Sequence, residues 1–171
     1  ERAAWPWMVA STLFGMGARF KHKECAARTG YETASVRTLP LPDRLPWTAM
    51  QEAAQQLIGE HDFSSFRASA CQALSPVKNL QRLDITRRGA YWRFEFEANA
   101  FLHHMIRNIM GCLVYIGQGR HPPAWMTEVL LAHDRKAAAP TFSPDGLYFL
   151  GPRYAAHWGL REQTAGYDGL P

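Results

Sequence analysis

The hydrophobic positions of the chain predict three helices. Between Thr48, which opens a capping box, and the stop residue Gly59, apolar residues recur at the spacing of one helical face: Met50, Ala53, Ala54, Leu57 and Ile58. A second helix is predicted from about His103 to Ile116, with a buried stripe of Met105, Ile109, Cys112, Leu113 and Ile116. A third begins at Pro122–Pro123, because proline suits a first helical turn, and it carries Trp125, Val129 and Leu130.

Strands are predicted on either side of the second and third helices. Apolar and charged residues alternate from Trp92 to Ala98, which is typical of a half-buried strand. A weaker alternation over 80–87 and a turn at Gly89 complete an antiparallel hairpin. Residues 147–150 read as a buried strand, and one more strand is expected before the first helix. This order favours an α+β fold, with helices packed on one face of an antiparallel sheet.

Composition narrows the class of protein. The 171 residues are 47% hydrophobic, which excludes a disordered tail and is enough for one domain or two small ones. Three widely spaced cysteines argue against a disulfide framework, and no stretch reaches the roughly 18 apolar residues of a membrane span. The formal charge of +4 allows a polyanionic partner without demanding one. We therefore expect a cytoplasmic protein without membrane association.

Several residues could carry chemistry, and each also has a plainer interpretation. His103 and His104 are adjacent, so on a helix their side chains should diverge by about 100°, which does not suit a shared metal ion. Asp62, Asp134 and Asp145 could be acid–base groups, but helix capping, a surface ion pair and a turn, respectively, are the plainer interpretations. Arg107 interrupts the most apolar helix, where a guanidinium needs a carboxylate, a phosphate or water. A functional role and a solvent-facing position both remain open for Arg107.

Longer strings of residues point to a family. They are His61-Asp62-Phe63-Ser64-Ser65-Phe66-Arg67-Ala68, Cys71-Gln72, Ser75-Pro76, Asn99-Ala100-Phe101-Leu102-His103-His104-Met105-Ile106-Arg107-Asn108-Ile109-Met110-Gly111 and Asp145-Gly146-Leu147-Tyr148. In this order, over residues 50–154, they resemble the tRNA pseudouridine synthase A family. Members of that family isomerise uridine to pseudouridine at positions 38–40 of the tRNA anticodon arm, without a metal or cofactor.

The resemblance implies a fold and the roles of two residues. The family fold has two ferredoxin-like halves whose sheets join across a cleft, and tRNA binds the positively charged face of a homodimer. This chain resembles the C-terminal half. By the family pattern, Arg107 forms an ion pair with the nucleophilic aspartate, and Leu147 packs in the pocket for the target uridine. An opposite charge beside a buried carboxylate keeps it ionised and nucleophilic.

The chain departs from the family pattern near its beginning. The nucleophile belongs to an Arg-Thr-Asp-x-Gly-x-His-Ala motif, and the nearest stretch, residues 27–32, has Gly30 in place of the aspartate. Tyr31 is the candidate for the tyrosine that stacks on the target base. We expect residues 1–45 to be a divergent or truncated junction, 46–154 the C-terminal synthase domain and 155–171 a C-terminal tail. The chain alone should then be inactive; the alternative is a non-catalytic RNA-binding module with this fold.

Overall fold

The computed structural model describes the backbone of residues 7–15, 47–88, 91–144 and 146–153. In chain order these residues form β1 (Trp7–Gly15), α1 (Trp47–Gln55), β2 (Gly59–Asp62), β3 (Val77–Arg88), β4 (Tyr91–Ala98), α2 (Met105–Gly117), α3 (Trp125–Ala132) and β5 (Leu147–Arg153). Short 3-10 helices occupy Ser64–Phe66 and Arg135–Ala137. Tyr31, Gly30 and Asp145 lie outside the described residues.

The strands form one antiparallel sheet in the order β2-β3-β4-β1-β5. The predicted hairpin is confirmed as β3 and β4, in which Leu83 lies opposite Phe96 and Ile85 opposite Phe94. The register shifts between Leu80 and Arg82, and this bulge lets Leu80 and Leu83 both be buried although they are three residues apart. The strand expected before the first helix is β1, which lies between β4 and β5.

The two faces of the hairpin differ in polarity. Trp92, Phe94, Phe96 and Ala98 are buried in the same core as the apolar residues of α1 and α2, as their period-two spacing predicted. The side chains between them are charged. Arg82 contacts Asp84 on its own strand at 3.0 Å and Glu95 on β4 at 3.2 Å. An α+β fold with helices packed against an antiparallel sheet is therefore confirmed.

The segment after α1 contains a capped turn and a strand that periodicity missed. Asp62 Oδ1 accepts a hydrogen bond from the Ser64 amide at 2.8 Å, and this confirms capping as the role of Asp62. Gly59, with φ of 111°, begins β2 rather than directly ending the helix. Because Glu60, His61 and Asp62 have no apolar alternation, their backbone pairing with β3 left no hydrophobic signal.

Both later helices begin after their predicted starts. His104 adopts a left-handed conformation, with φ of 62°, so α2 begins at Met105 rather than at His103. The α3 helix begins at Trp125, after a turn that contains Pro122 and Pro123. Among the described residues, no helix combines the length and apolar character needed to cross a membrane.

Candidate functional site

Arg107 lies in the first turn of α2, where the peptide group of Phe142 holds it. Its Nε donates a hydrogen bond to the Phe142 carbonyl at 2.7 Å, and the Phe142 amide donates to the Arg107 carbonyl at 3.1 Å. The side chain is half-buried. Within the described part of the chain, Nη1 and Nη2 have no hydrogen-bond partner. These two nitrogens can therefore donate to an acceptor that approaches the end of the guanidinium.

Basic side chains lie near Arg107. The pKa of His104 is lowered by burial and then by the charges of His103, Arg107 and Arg135, which oppose its protonation. Among the described residues, no ion pair joins Arg107 to a carboxylate. Because a guanidinium forms its strongest hydrogen bonds with anionic acceptors, this end of α2 is suited to a carboxylate or a phosphate.

Asn108 is the buried polar centre beside Arg107. Its side chain is fully buried, and Nδ2 donates to the Phe66 carbonyl at 2.7 Å. Oδ1 accepts from Thr141 Oγ1 at 2.7 Å and from Arg135 Nη2 at 3.0 Å. The amide of Asn108 thus joins α2 to two segments that are distant in sequence.

The segment after α3 runs along α2 and ends at Phe142. Arg135 Nη1 donates to the carbonyls of Ala138 and Ala139, at 3.3 and 2.9 Å, and the Ala139 amide donates to Cys112 Sγ at 3.3 Å. Gly111 has no room for a side chain, because a Cβ there would collide with the Pro140 carbonyl oxygen. Glycine at position 111 therefore permits the close approach of this segment.

Leu147 lies five residues after Phe142, at the first position of β5. It is partly buried against the core, and its amide donates to the Pro144 carbonyl at 3.1 Å. The preceding Gly146 has φ of 79° and supplies the left-handed turn into the strand. The contact between Arg107 and Phe142 thus holds the segment that leads to Leu147 beside the start of α2.

The two adjacent histidines do not diverge as the sequence predicted. The rings of His103 and His104 lie 4.0 Å apart between centroids and are tilted by 34°. The prediction of divergence was wrong because His104 is left-handed rather than helical, so the helical rotation per residue does not apply. In the part of the chain that the structure describes, no group of three or more His, Cys, Asp or Glu side chains could hold a metal ion.

The loop of residues 67–76 reaches the start of α2 from the other side. Arg67 Nη2 donates to the carbonyls of Cys71 and Ala73, at 2.7 and 2.8 Å, and the Ala68 amide donates to the His103 carbonyl at 3.1 Å. Lys78 follows this loop and adds a second positive charge close to Arg67. The hydrogen bond from Ala68 to His103 therefore links the loop that begins at Arg67 to the start of α2, which carries Arg107.

Sequence reasoning missed three residues of the site and misassigned one. Asn108, Arg135 and Thr141 received no role, although a polar Asn108 between the apolar Met105 and Cys112 of the predicted stripe was a readable signal. The pairing of Arg135 with Thr141 and Asn108 had no such signal, because it depends on tertiary contacts. Asp134 accepts from the Lys136 amide at 2.9 Å and caps a 3-10 helix, where a surface ion pair was expected.

Comparison with known proteins relates this chain to one enzyme family. The profile of the family described as tRNA pseudouridine synthase matches residues 53–155. The tRNA pseudouridine synthase A of Albidiferax ferrireducens is 74% identical over 127 residues, which are 74% of this chain and 49% of that protein. The protein of the same name from Acidovorax sp. strain JS42 is 55% identical over 177 residues, covering 89% of this chain and 65% of the relative. The chain spans about half to two thirds of the length of these relatives.

Proposed function

The chain belongs to the tRNA pseudouridine synthase family, and we propose that it is the C-terminal half of an enzyme that isomerises uridine to pseudouridine at positions 38–40 of the tRNA anticodon arm. In this proposal, residues 46–154 form a ferredoxin-like domain, 1–45 a divergent or truncated junction and 155–171 a tail. We assign the nucleophilic aspartate to the other half of the enzyme, since Gly30 stands in its place in the nearest match to the motif.

The observation that carries the proposal is the fixed and uncompensated guanidinium of Arg107. The Phe142 carbonyl accepts from Nε, and among the described residues neither Nη nitrogen has a partner, while Arg135 adds a second positive charge nearby. A carboxylate can accept from both Nη nitrogens end-on, which gives a planar two-pronged contact. We therefore assign Arg107 the role of holding the aspartate of the other half ionised and oriented for attack.

The reaction in which Arg107 takes part rearranges bonds within one nucleotide. The bond from N1 of uracil to C1′ of the ribose breaks, the base turns, and C5 bonds to C1′. C5 loses a proton and N1 gains one, so atoms and electrons balance without a redox cofactor. The uridine must leave the stack to reach the aspartate. Leu147 would line its pocket, and Tyr31 would stack on the base.

The proposed partners follow from the same assignment. The proposed substrate is tRNA, the proposed location of the enzyme is the cytoplasm, and the full-length protein would act as a homodimer. Arg67 and Lys78, in the loop beside the start of α2, support contacts with RNA phosphates.

A chimera tests the proposal. Residues 47–153 of this chain replace their counterparts in the Albidiferax ferrireducens protein, and the product is incubated with unmodified tRNA and assayed for pseudouridine. We expect modification of the anticodon arm by the chimera and none by the present chain alone. A folded chimera that binds tRNA without converting uridine, while the parent enzyme converts it, would contradict the proposal and favour a non-catalytic RNA-binding module.

A further inference from the structure

We propose that Asn108, Arg135 and Thr141 form a positioning unit that sets the direction of the Arg107 guanidinium. The inference rests on the catalytic role proposed for Arg107 and extends it to three residues that need not touch the substrate. Their effect passes through the peptide of Phe142, which accepts from Arg107 Nε. The three residues are positioning residues, since they act on the reaction through Arg107.

The first support is the pairing of two segments residue by residue. Moving along α2 from its start, Arg107 bonds to Phe142, and Asn108 bonds to Thr141. One turn later, Gly111 meets Pro140 and Cys112 Sγ accepts from the Ala139 amide. Residues 139–142 therefore lie antiparallel to α2, along the helical face that carries positions 107, 108, 111 and 112.

The second support is that both polar atoms of the buried Asn108 amide are hydrogen-bonded. A polar side chain in an apolar helix costs free energy unless its hydrogen bonds are made. Nδ2 donates to Phe66, while Oδ1 accepts from both Thr141 and Arg135. Because these partners come from separate parts of the chain, only one placement of residues 139–142 satisfies the amide.

The third support is that both Nη nitrogens of Arg135 are engaged in hydrogen bonds within the chain. Its guanidinium donates to four oxygens: the carbonyls of Ala138 and Ala139, Asn108 Oδ1 and Thr141 Oγ1. An arginine engaged in this way has little capacity left for a phosphate or a carboxylate. Its hydrogen bonds instead fix the segment that ends at Phe142, while Arg107 keeps its outer nitrogens for the anion.

The positioning unit should affect catalysis through the direction in which the Arg107 guanidinium points. If the Phe142 carbonyl shifts, the hydrogen bond to Nε weakens, and the guanidinium can rotate away from the carboxylate that it should meet end-on. Misplacement of a catalytic partner lowers the rate of the chemical step more than it weakens binding. Loss of the positioning unit should therefore lower kcat and leave KM nearly unchanged.

Thr141 offers the cleanest test, because it is exposed and its hydroxyl can be removed at constant shape. Thr141→Val removes the hydroxyl, Thr141→Ser restores it, and Thr127→Val is the matched control. Thr127 is an exposed threonine whose hydroxyl bonds to Gln56, away from Arg107. Two measurements are made on each variant: solvent exchange of the Arg107 Nε–Hε proton by NMR in the present chain, and kcat and KM in the chimera.

We expect Thr141→Val to speed exchange of the Nε–Hε proton and to lower kcat by about fivefold at unchanged KM, since a lost hydrogen bond costs about 1 kcal/mol. Thr141→Ser and Thr127→Val should stay within about twofold of the parent in both measurements. Equal exchange rates in Thr141→Val and its parent would overturn the inference, whether or not the chimera is active. An inactive parent chimera would instead contradict only the proposed function, since the exchange measurement does not depend on turnover.

Discussion

Arg107 and Phe142 are joined twice, by a hydrogen bond of 2.7 Å from Nε to the Phe142 carbonyl and by one of 3.1 Å from the Phe142 amide to the Arg107 carbonyl. The first fixes the side chain and the second fixes the backbone of the same helical turn. Arginine is suited to this position because one nitrogen can be anchored while two others remain available to an anion. A lysine has a single nitrogen and cannot offer an anion two parallel N–H groups in one plane.

This geometry predicts different losses for two variants of Arg107 in the chimera. Arg107→Ala leaves the proposed aspartate without its countercharge, and removal of one partner of a buried pair costs about 3–5 kcal/mol. If most of that cost reaches the transition state, single-turnover rates fall by about two to three orders of magnitude. Arg107→Lys should recover little of this rate, while tRNA affinity changes far less in both variants.

Rates within a few-fold of the parent for both variants would remove Arg107 from the catalytic machinery. The matched control is Arg82→Ala, on strand β3. Arg82 already pairs with Asp84 and Glu95 within the sheet. Its removal should leave the single-turnover rate nearly unchanged.

The contact between Gly111 and Pro140 predicts a stability defect. Gly111→Ala places a methyl group against the Pro140 carbonyl oxygen, so residues 139–142 must move away from α2. Overpacking of this kind costs about 1–3 kcal/mol, which denaturant unfolding can measure. Gly119→Asn is the control, because Gly119 has open space around it and asparagine tolerates its left-handed conformation. Equal destabilisation by the two substitutions would contradict a close approach at Gly111.

The sequence predicted those parts of the fold that depend on local periodicity. The alternation from Trp92 to Ala98 and the stripe from Met105 to Ile116 each follow the period of one element, so strand and helix could be assigned directly. The arrangement around Arg107 could not be obtained in this way. Arg107 and Phe142 are 35 residues apart, and their contact depends on the turn after α3 rather than on any repeat.

Cys112 predicts a pH dependence of stability in the alkaline range. Burial raises its pKa to about 11 from 9.0, although the Ala139 amide and the charge of Arg135 act in the opposite direction. Between these values the unfolded thiol loses its proton and the folded thiol keeps it. The unfolded state then binds fewer protons, so the free energy of unfolding falls as pH rises. The full effect is at most about 3 kcal/mol.

Cys112→Ala removes this titration. We expect the stability difference between the parent and Cys112→Ala to shrink steadily from pH 9 to pH 11, since only the parent loses this contribution. Cys71→Ala is the control. The pKa of Cys71 is lowered, first by a hydrogen bond from the Ala73 amide, so its difference curve should not fall over the same range. A constant difference for Cys112→Ala would contradict a buried protonated thiol.

Binding of the present chain to tRNA should be weak, sensitive to salt and largely independent of sequence. Each phosphate that a cation neutralises adds slightly less than one unit to the slope of log affinity against log salt. A formal charge of +4 offers few such contacts. Lys78 is a sharp test because its Nζ donates to the carbonyls of Ser75 and Val77, which hold the ammonium beside Arg67 without cancelling its charge.

Lys78→Gln should therefore weaken tRNA binding and reduce the salt slope by about one unit, by a similar amount for every tRNA sequence. Arg82→Gln is the charge-matched control: the carboxylates of Asp84 and Glu95 already compensate Arg82, so its loss should leave the slope unchanged. Filter binding over a series of salt concentrations measures both slopes. Equal changes in the two variants would mean that net charge alone attracts the RNA. A slope that changes only in Lys78→Gln would place phosphates at the loop beside α2.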